Sequence, residues 1–228
     1  IGEAADRLRG RDGRKTLWHL LPSERMRADA IGQWLVARKW PNVLMLVGSG
    51  PGDGERAAVA QAALKRYGLN LVAQKPFRLS ADPRERELAN PRLLTQGDYD
   101  VVWVVDSDGE FGVSLPYRTV LPRPVVGDAG LAALAWHPQF ERFGAPQVSR
   151  RFARATNRPM AAHDWVSWLA GKALAAAAVA APKGPAAAFA KALAEQELDG
   201  SKGVAMTFRP WDGQLRQPLL LTDGQGVI

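Results

Sequence analysis

The sequence predicts an α/β protein built on a parallel sheet, and three observations carry that expectation. Val43 to Val47 and Tyr99 to Val105 (YDVVWVV) are short, unbroken apolar runs, the pattern of strands buried on both faces. Helical periodicity lies between and around them. A glycine-rich turn, Gly48-Ser-Gly-Pro-Gly-Asp-Gly54, joins the first run directly to a helix. Strand, helix, strand, helix, strand is the order that right-handed crossovers impose.

In chain order, Ser23 is placed to cap a helix reaching Lys39, with Met26, Ala30, Ile31, Trp34 and Leu35 on one stripe. Trp40-Pro41 ends it. After the first strand, a helix from Glu55 to Tyr67 stops at Gly68. Leu69 to Phe77 reads as a second strand, and Pro83 to Leu94 as a helix broken near Pro91. Tyr99 to Val105 is the third strand. Pro124 to Gly127 begins a fourth, followed by a short apolar segment from Leu131 to Trp136.

From Gln139 to Glu197 the pattern turns helical: Gln147–Thr156, Met160–Ala181, and a last helix from Pro185. Pro185 is suited to a first helical position. Gly203–Phe208 and Leu215–Leu221 are strand-like runs around Asp212-Gly213, a strong turn signal. Trp165, Trp168 and Leu169 form an apolar face for which the sequence offers no neighbouring strands. Its expected cover is a layer outside this stretch of chain, from residues upstream of Ile1 or from another subunit.

Composition narrows the function. The 228 residues, 46% hydrophobic, suffice for a proper core and argue against disorder. The longest apolar stretch, Ala173 to Pro182, is too short to cross a bilayer. Ile1 to Lys15 is charged and lacks the apolar centre of a secretory signal. With no cysteine, disulfides, zinc ribbons and thiol catalysis are excluded. The formal charge of +7 suits an anionic partner or a basic surface. Its densest cluster, Arg150, Arg151, Arg154 and Arg158, lacks the aromatic or glycine pattern of a nucleic-acid module and reads as a solvated helix face.

Three motifs bear on chemistry. A buried strand followed by glycines opening a helix, Val43 to Glu55, is how methyltransferases and dinucleotide enzymes seat a nucleotide. Those sites need an acid at the end of the next strand, and Val72 to Phe77 has none. Asp106-Ser-Asp-Gly-Glu110 begins like a calcium loop, but its glycine comes early and the closing glutamate is absent. His19, His137 and His163 have no metal-ligand spacing, and no serine has a nucleophile elbow. No catalytic residue, metal site or cofactor is therefore expected, and the chain is read as not an enzyme.

The order of elements resembles the second half and more of a type I periplasmic solute-binding protein of an ABC transporter. Val43–Glu55 matches the start of the second lobe, Pro159–Ala181 the long helix of the returning first lobe, and Gly203–Phe208 with Asp212-Gly213 the motif before the last crossover. More narrowly, several segments resemble substrate-binding proteins encoded beside pyrroloquinoline-quinone-dependent alcohol dehydrogenases. They are Pro22-Ser23 with Ala28-Asp29-Ala30, Gly50-Pro-Gly-Asp53, Pro122-Arg-Pro-Val-Val-Gly127, Trp136-His137, Gly144-Ala-Pro-Gln147 with Arg151-Phe152, and Phe208-Arg-Pro-Trp-Asp-Gly-Gln-Leu-Arg-Gln-Pro218.

The resemblance implies two Rossmann-like lobes with parallel sheets, the first incomplete here. Residues 1–22 and 136–213 would form that partial, mostly helical first lobe, and 23–135 with 214–228 the second. It also implies a periplasmic protein that presents a small solute to ABC permease subunits, without a cofactor, nucleic acid or membrane insertion. Pyrroloquinoline quinone, or another solute linked to alcohol oxidation, enters only as a candidate ligand. The net charge suits a polycarboxylate, whereas bare carboxylates at Asp53, Asp106, Asp108, Glu110 and Asp128 would repel one.

Open α/β sheets bind ligands beyond the carboxyl ends of their strands. That rule selects Ser49 and Asp53 after the first strand, Asp106 and Ser107 after the third, and Asp128 after the fourth. Trp136 and His137 stand where the chain would cross back between lobes. Trp136 could stack on a planar solute and His137 could donate to a carboxylate, or the pair could plug the lobe junction and cap a helix. Two other functions stay open: a nucleotide- or S-adenosylmethionine-dependent transferase using Gly48–Gly54, and a sensory ligand-binding domain.

Overall fold

The computed structural model describes residues 4, 6–9 and 17–228, and the side chains of all of these except Arg7 and Pro83. Most of the charged stretch from Ile1 to Lys15 lies outside the described residues. The elements run α1 (Glu24–Arg38), β1 (Asn42–Val47), α2 (Asp53–Arg66), β2 (Asn70–Pro76), α3 (Pro91–Leu94), β3 (Val101–Val105), α4 (Glu110–Ser114), β4 (Val125–Gly127) and β5 (Ala132–Leu134). They continue with α5 (Ala145–Thr156), α6 (Ala162–Ala180), α7 (Ala186–Glu195), β6 (Leu198–Asp199), β7 (Ala205–Met206) and β8 (Leu220–Thr222). The segment expected as a broken helix is a 3-10 turn, Pro83–Ala89, followed by α3, because Asn90 and Pro91 restart the chain.

The chain divides into two compact units. One comprises residues 1–24, 134–220 and 227; the other comprises 25–133, 221–226 and 228. The boundaries expected from the sequence lie after residues 22, 135 and 213. The third differs most, because the strand-like run from Leu215 stays with the Asp212-Gly213 turn until β8 begins. β5 and β8 pair as a two-stranded sheet, and each spans one of these boundaries.

The second unit is built on a four-stranded sheet in the order β2-β1-β3-β4, with every pairing parallel. Central β1 and β3 are buried, whereas edge strand β2 is largely exposed. Residue alternation gives the sheet two apolar faces. Leu44, Leu46, Val102 and Val104 pack with Phe77, Leu94, Phe111 and Leu115, so α3 and α4 cover that side. On the other, Val43, Met45 and Val47 are as well buried, as are Ala57, Ala60, Ala63 and Leu64 of α2. Small alanines let α2 approach closely. Gly32 of α1 serves the same purpose, since a Cβ there would come within 2.7 Å of the Tyr67 ring.

The first unit holds α5, α6, α7 and the antiparallel pair β6-β7 around a separate core. Trp136, Met160, Trp165, Leu169, Met206, Phe208 and Leu215 lie at its centre. The expected uncovered face on α6 is not found for two of its three residues. Trp165 and Leu169 are both fully buried, and Trp168 is half-buried. Their cover comes from the short β6-β7 pair and the turn between its strands. The Trp165 Nε1–H donates to Gly200 O at 3.0 Å, and the Lys202 ammonium sits 3.9 Å from its ring centroid.

The 208–218 motif is a clamp. Phe208 bridges Leu215 across the Asp212-Gly213 turn, with Arg209 N–H donating to Gln214 O at 2.9 Å. Gly213 has φ +64°, and a side chain there would run into Leu17 O, so only glycine fits. Gln214, fully buried, donates from Nε2 to His19 O at 3.1 Å and Leu21 O at 3.2 Å. Gln217 donates to Leu20 O at 2.6 Å and accepts from Lys202 Nζ at 3.0 Å. Two glutamines thus tie segments almost 200 positions apart.

Candidate functional site

In the second unit the loops after β1, β3 and β4 meet at the carboxyl ends of their strands. β1 and β3 are stitched past their last residues by Gly48 N–H donating to Val105 O at 2.8 Å. The β1 loop turns at Gly52, whose φ of +87° permits it to end in α2. Asp53 opens that helix and is 1% exposed. One of its oxygens accepts from Gly50 N–H at 2.9 Å and the other from Ser107 N–H at 3.1 Å. A single carboxylate therefore closes its own loop and fastens the β3 loop to it.

Asp128, after β4, repeats the device. One oxygen accepts from Asp106 N–H at 2.8 Å, and the other is paired with the Arg56 guanidinium. Asp106, 5% exposed, turns inward and accepts from Gly112 N–H of α4 at 2.7 Å. Arg56 reaches 4.0 Å from Asp53 as well. The three aspartates and one arginine form a continuous chain across three strand ends. Each backbone N–H it satisfies would otherwise be a donor at a loop with no strand partner.

This changes the electrostatics expected from sequence. Asp53, Asp106 and Asp128 are not bare; their charges are taken up by backbone donors and Arg56. Asp108 and Glu110 are exposed. The hydroxyl groups of Ser49 and Ser107 belong to exposed residues and have no hydrogen-bond partner among the described residues. Gly50 lies beneath Ser107 so closely that a Cβ there would run into Ser107 Oγ. The strand ends thus present two free hydroxyls on a rigid carboxylate-braced base, suited to hydrogen-bonding a small polar group. Arg56 was missed in the sequence; its signal was its position three residues after Asp53, on the same helix face.

Ser49, Asp53, Asp106, Ser107 and Asp128 are gathered in this one unit; Trp136 and His137 belong to the other. There Trp136 is 1% exposed, stacked on Trp165 at 5.8 Å and edge-on to Phe140 at 6.2 Å. Its Nε1–H is buried without a partner. His137 is half-buried, and its Nδ1 accepts a long 3.4 Å bond from Gln139 N–H. Among the described residues, no group of three or more His, Asp or Glu is placed to hold a metal ion. No described helix is long and apolar enough to cross a membrane.

The four-stranded parallel unit and the other unit, between which the chain passes through β5 and β8, have the type I periplasmic-binding-protein fold. Solved structures share it. The chain is similar to a solute-binding protein of an ABC transporter from R. palustris in complex with benzoate, at 15% identity and a TM-score of 0.72, over 98% of this chain and 68% of that one. It is similar to an ABC transporter substrate-binding protein from Desulfitobacterium hafniense in complex with Leu, at 16% identity and a TM-score of 0.72, over 95% and 69%. A branched-chain amino acid ABC transporter periplasmic ligand-binding protein from Burkholderia xenovorans matches at 13% and 0.75, over 96% and 63%. The chain spans about two thirds of the length of these structures. No family model matches the sequence, and no curated protein matches it.

Proposed function

We propose that this chain acts in the periplasm as the solute-binding component of an ABC importer, holding a small solute and presenting it to permease subunits. The observation that carries this reading is the shared fold, at TM-scores of 0.72 to 0.75, with solute-binding proteins of such transporters. Ser49 and Ser107 are its solute contacts in the second unit, on the base braced by Asp53, Asp106 and Asp128. Trp136 and His137 are its contacts in the first. To meet a solute Trp136 would leave the Trp165 stack, and its unpaired indole N–H is the donor it would offer at the ring edge.

The ligand class is a small carboxylate. Benzoate and leucine, named with two of the similar structures, are both carboxylates, and with Asp53, Asp106 and Asp128 turned to backbone donors and Arg56 the Ser49 and Ser107 hydroxyls stand free at the strand ends, exposed Asp108 and Glu110 lying further along the β3 loop. Pyrroloquinoline quinone, a planar polycarboxylate, belongs to the same chemistry.

The test is calorimetric titration of this chain with benzoate, leucine and pyrroloquinoline quinone, and with S-adenosylmethionine for the transferase alternative. Saturable binding of a carboxylate, weakened at least tenfold by Ser49→Trp, supports the proposal. Binding of S-adenosylmethionine alone, sensitive to the same substitution, overturns it.

A further inference from the structure

The helix expected to be no more than a solvated basic face borders a hollow. Ser149, Arg150 and Ala153 of α5 lie eight, seven and four residues before Asn157, which ends the helix in the left-handed conformation at φ 56°. This face meets the segments carrying Pro138 and Met160, and between them lies an open surface hollow of about 400 Å3. Its lining is mainly apolar, from Pro138, Ala153, Pro159 and buried Met160. The volume is within the range of small-molecule sites, roughly 300–1,000 Å3.

Two polar groups in the lining are unused. The Ser149 hydroxyl oxygen is buried and has no hydrogen-bond partner, a costly condition for a polar group. The Arg150 guanidinium has no ion pair or hydrogen bond among the described residues. The other cation of the lining, Arg158, is engaged by Asp164 through two bonds of 2.6 and 2.7 Å. That pairing also neutralises the acid beside the hollow. One free positive charge, one free hydroxyl and an apolar wall match a single anionic head with an apolar tail.

We propose that this hollow is a binding site for a small aliphatic monocarboxylate, its head held by Arg150 and Ser149 and its tail against Ala153, Met160 and Pro138. It shares no residue with the strand-end loops, and it stands whether or not the transport reading holds. A multiply charged phosphate would leave part of its charge unmatched over apolar wall. A neutral amide would forgo the arginine.

The chain offers a local reporter, because Met160 lines the hollow. With methionine methyl groups labelled with carbon-13, hexanoate is titrated and the four methionine resonances are followed, with hexanamide as the neutral control. The Met160 resonance is expected to move saturably with hexanoate and not with hexanamide, while Met26 and Met45 stay in place. Arg150→Gln should weaken the hexanoate response at least tenfold, and Ala153→Phe, which fills the hollow, should remove it. An unmoved Met206 resonance, from the core of the same unit, reports an intact fold in both variants. A Met160 resonance that ignores hexanoate, responds equally to hexanamide, or responds undiminished in Arg150→Gln overturns the proposal.

Discussion

The Trp136 and Trp165 rings stack 5.8 Å apart with their planes only 10° from parallel, and they are the two largest wholly buried side chains among the described residues. One comes from the chain just after β5, the other from the first turns of α6. The stack therefore joins an irregular segment to the longest helix. Trp165 also receives the Lys202 ammonium on its ring and donates from Nε1–H to Gly200 O. The core of the first unit is layered around this ring.

Trp165→Ala should accordingly cost about 3–5 kcal/mol, the usual range for emptying a buried aromatic site. Trp165→Phe should cost less, because it keeps a ring but loses the bond to Gly200. Urea unfolding followed by far-ultraviolet circular dichroism gives both values. A loss below about 1 kcal/mol for the alanine variant would show that the site collapses or is wet.

Lys202 predicts a pH dependence. Burial pushes its pKa down from 10.5 to about 7, with no carboxylate to offset the loss of water. Between about pH 7 and 10.5 the unfolded chain holds the proton and the folded chain does not. Unfolding then takes up a proton, so stability should rise with pH across that window and the gain should be lost as pH falls through 7. In Lys202→Met that slope should vanish, whatever the variant's absolute stability. Its absolute stability is a separate matter, since Gln217 Oε1 and Pro218 O lose their donor. Thermal unfolding from pH 6.5 to 10 in both proteins is the measurement; equal slopes would refute the assignment.

Asp164 carries the opposite dependence. The Arg158 fork, with the Ala161 N–H at 2.9 Å, lowers its pKa from 3.8 to about 2. Its contribution is complete above about pH 4 and is lost as pH falls through 2. The pair is near the surface, so Asp164→Asn should cost only about 1 kcal/mol at neutral pH, and less in high salt. A loss unaffected by pH between 2 and 5 would show that the charge on Asp164 contributes nothing.

What was legible in the sequence depended on whether one residue type or many set the outcome. β1 and β3 were visible because five consecutive apolar residues can only be buried on both faces. The Asp212-Gly213 turn was visible because a positive φ at that point excludes almost everything else. The cover over Trp165 was not, because Gly200, Lys202 and Met206 supply it from a two-residue strand and the turn before it, too short to show periodicity. Lysine is also a poor sign of a core position; here two carbonyl oxygens and a ring face accommodate its three N–H donors. At the strand ends, the loops were found by topology, but the inward turn of the aspartates was not. Whether a carboxylate faces solvent or backbone depends on where neighbouring N–H groups point, which no spacing encodes.

That inward turn gives the last prediction. Asp53 satisfies Gly50 N–H and Ser107 N–H at once, in a place where it is 1% exposed. Asp53→Ala would leave two donors without an acceptor and the β1 and β3 loops unconnected. The expected cost is about 1–3 kcal/mol for each donor left buried, reduced where water replaces the carboxylate. Asp53→Asn keeps one acceptor oxygen but turns an NH2 group toward a backbone donor, so it should fall between alanine and the parent. If Ser49 and Ser107 hold the solute, both variants should lose affinity beyond their loss of stability, because the hydroxyls no longer share a fixed base. Hydrogen exchange at the Gly50 and Ser107 amides separates the two effects. In Asp53→Ala these amides should exchange much faster while those of β1 and β3 remain protected. Unchanged exchange at both would mean that the loops are held by something other than this carboxylate.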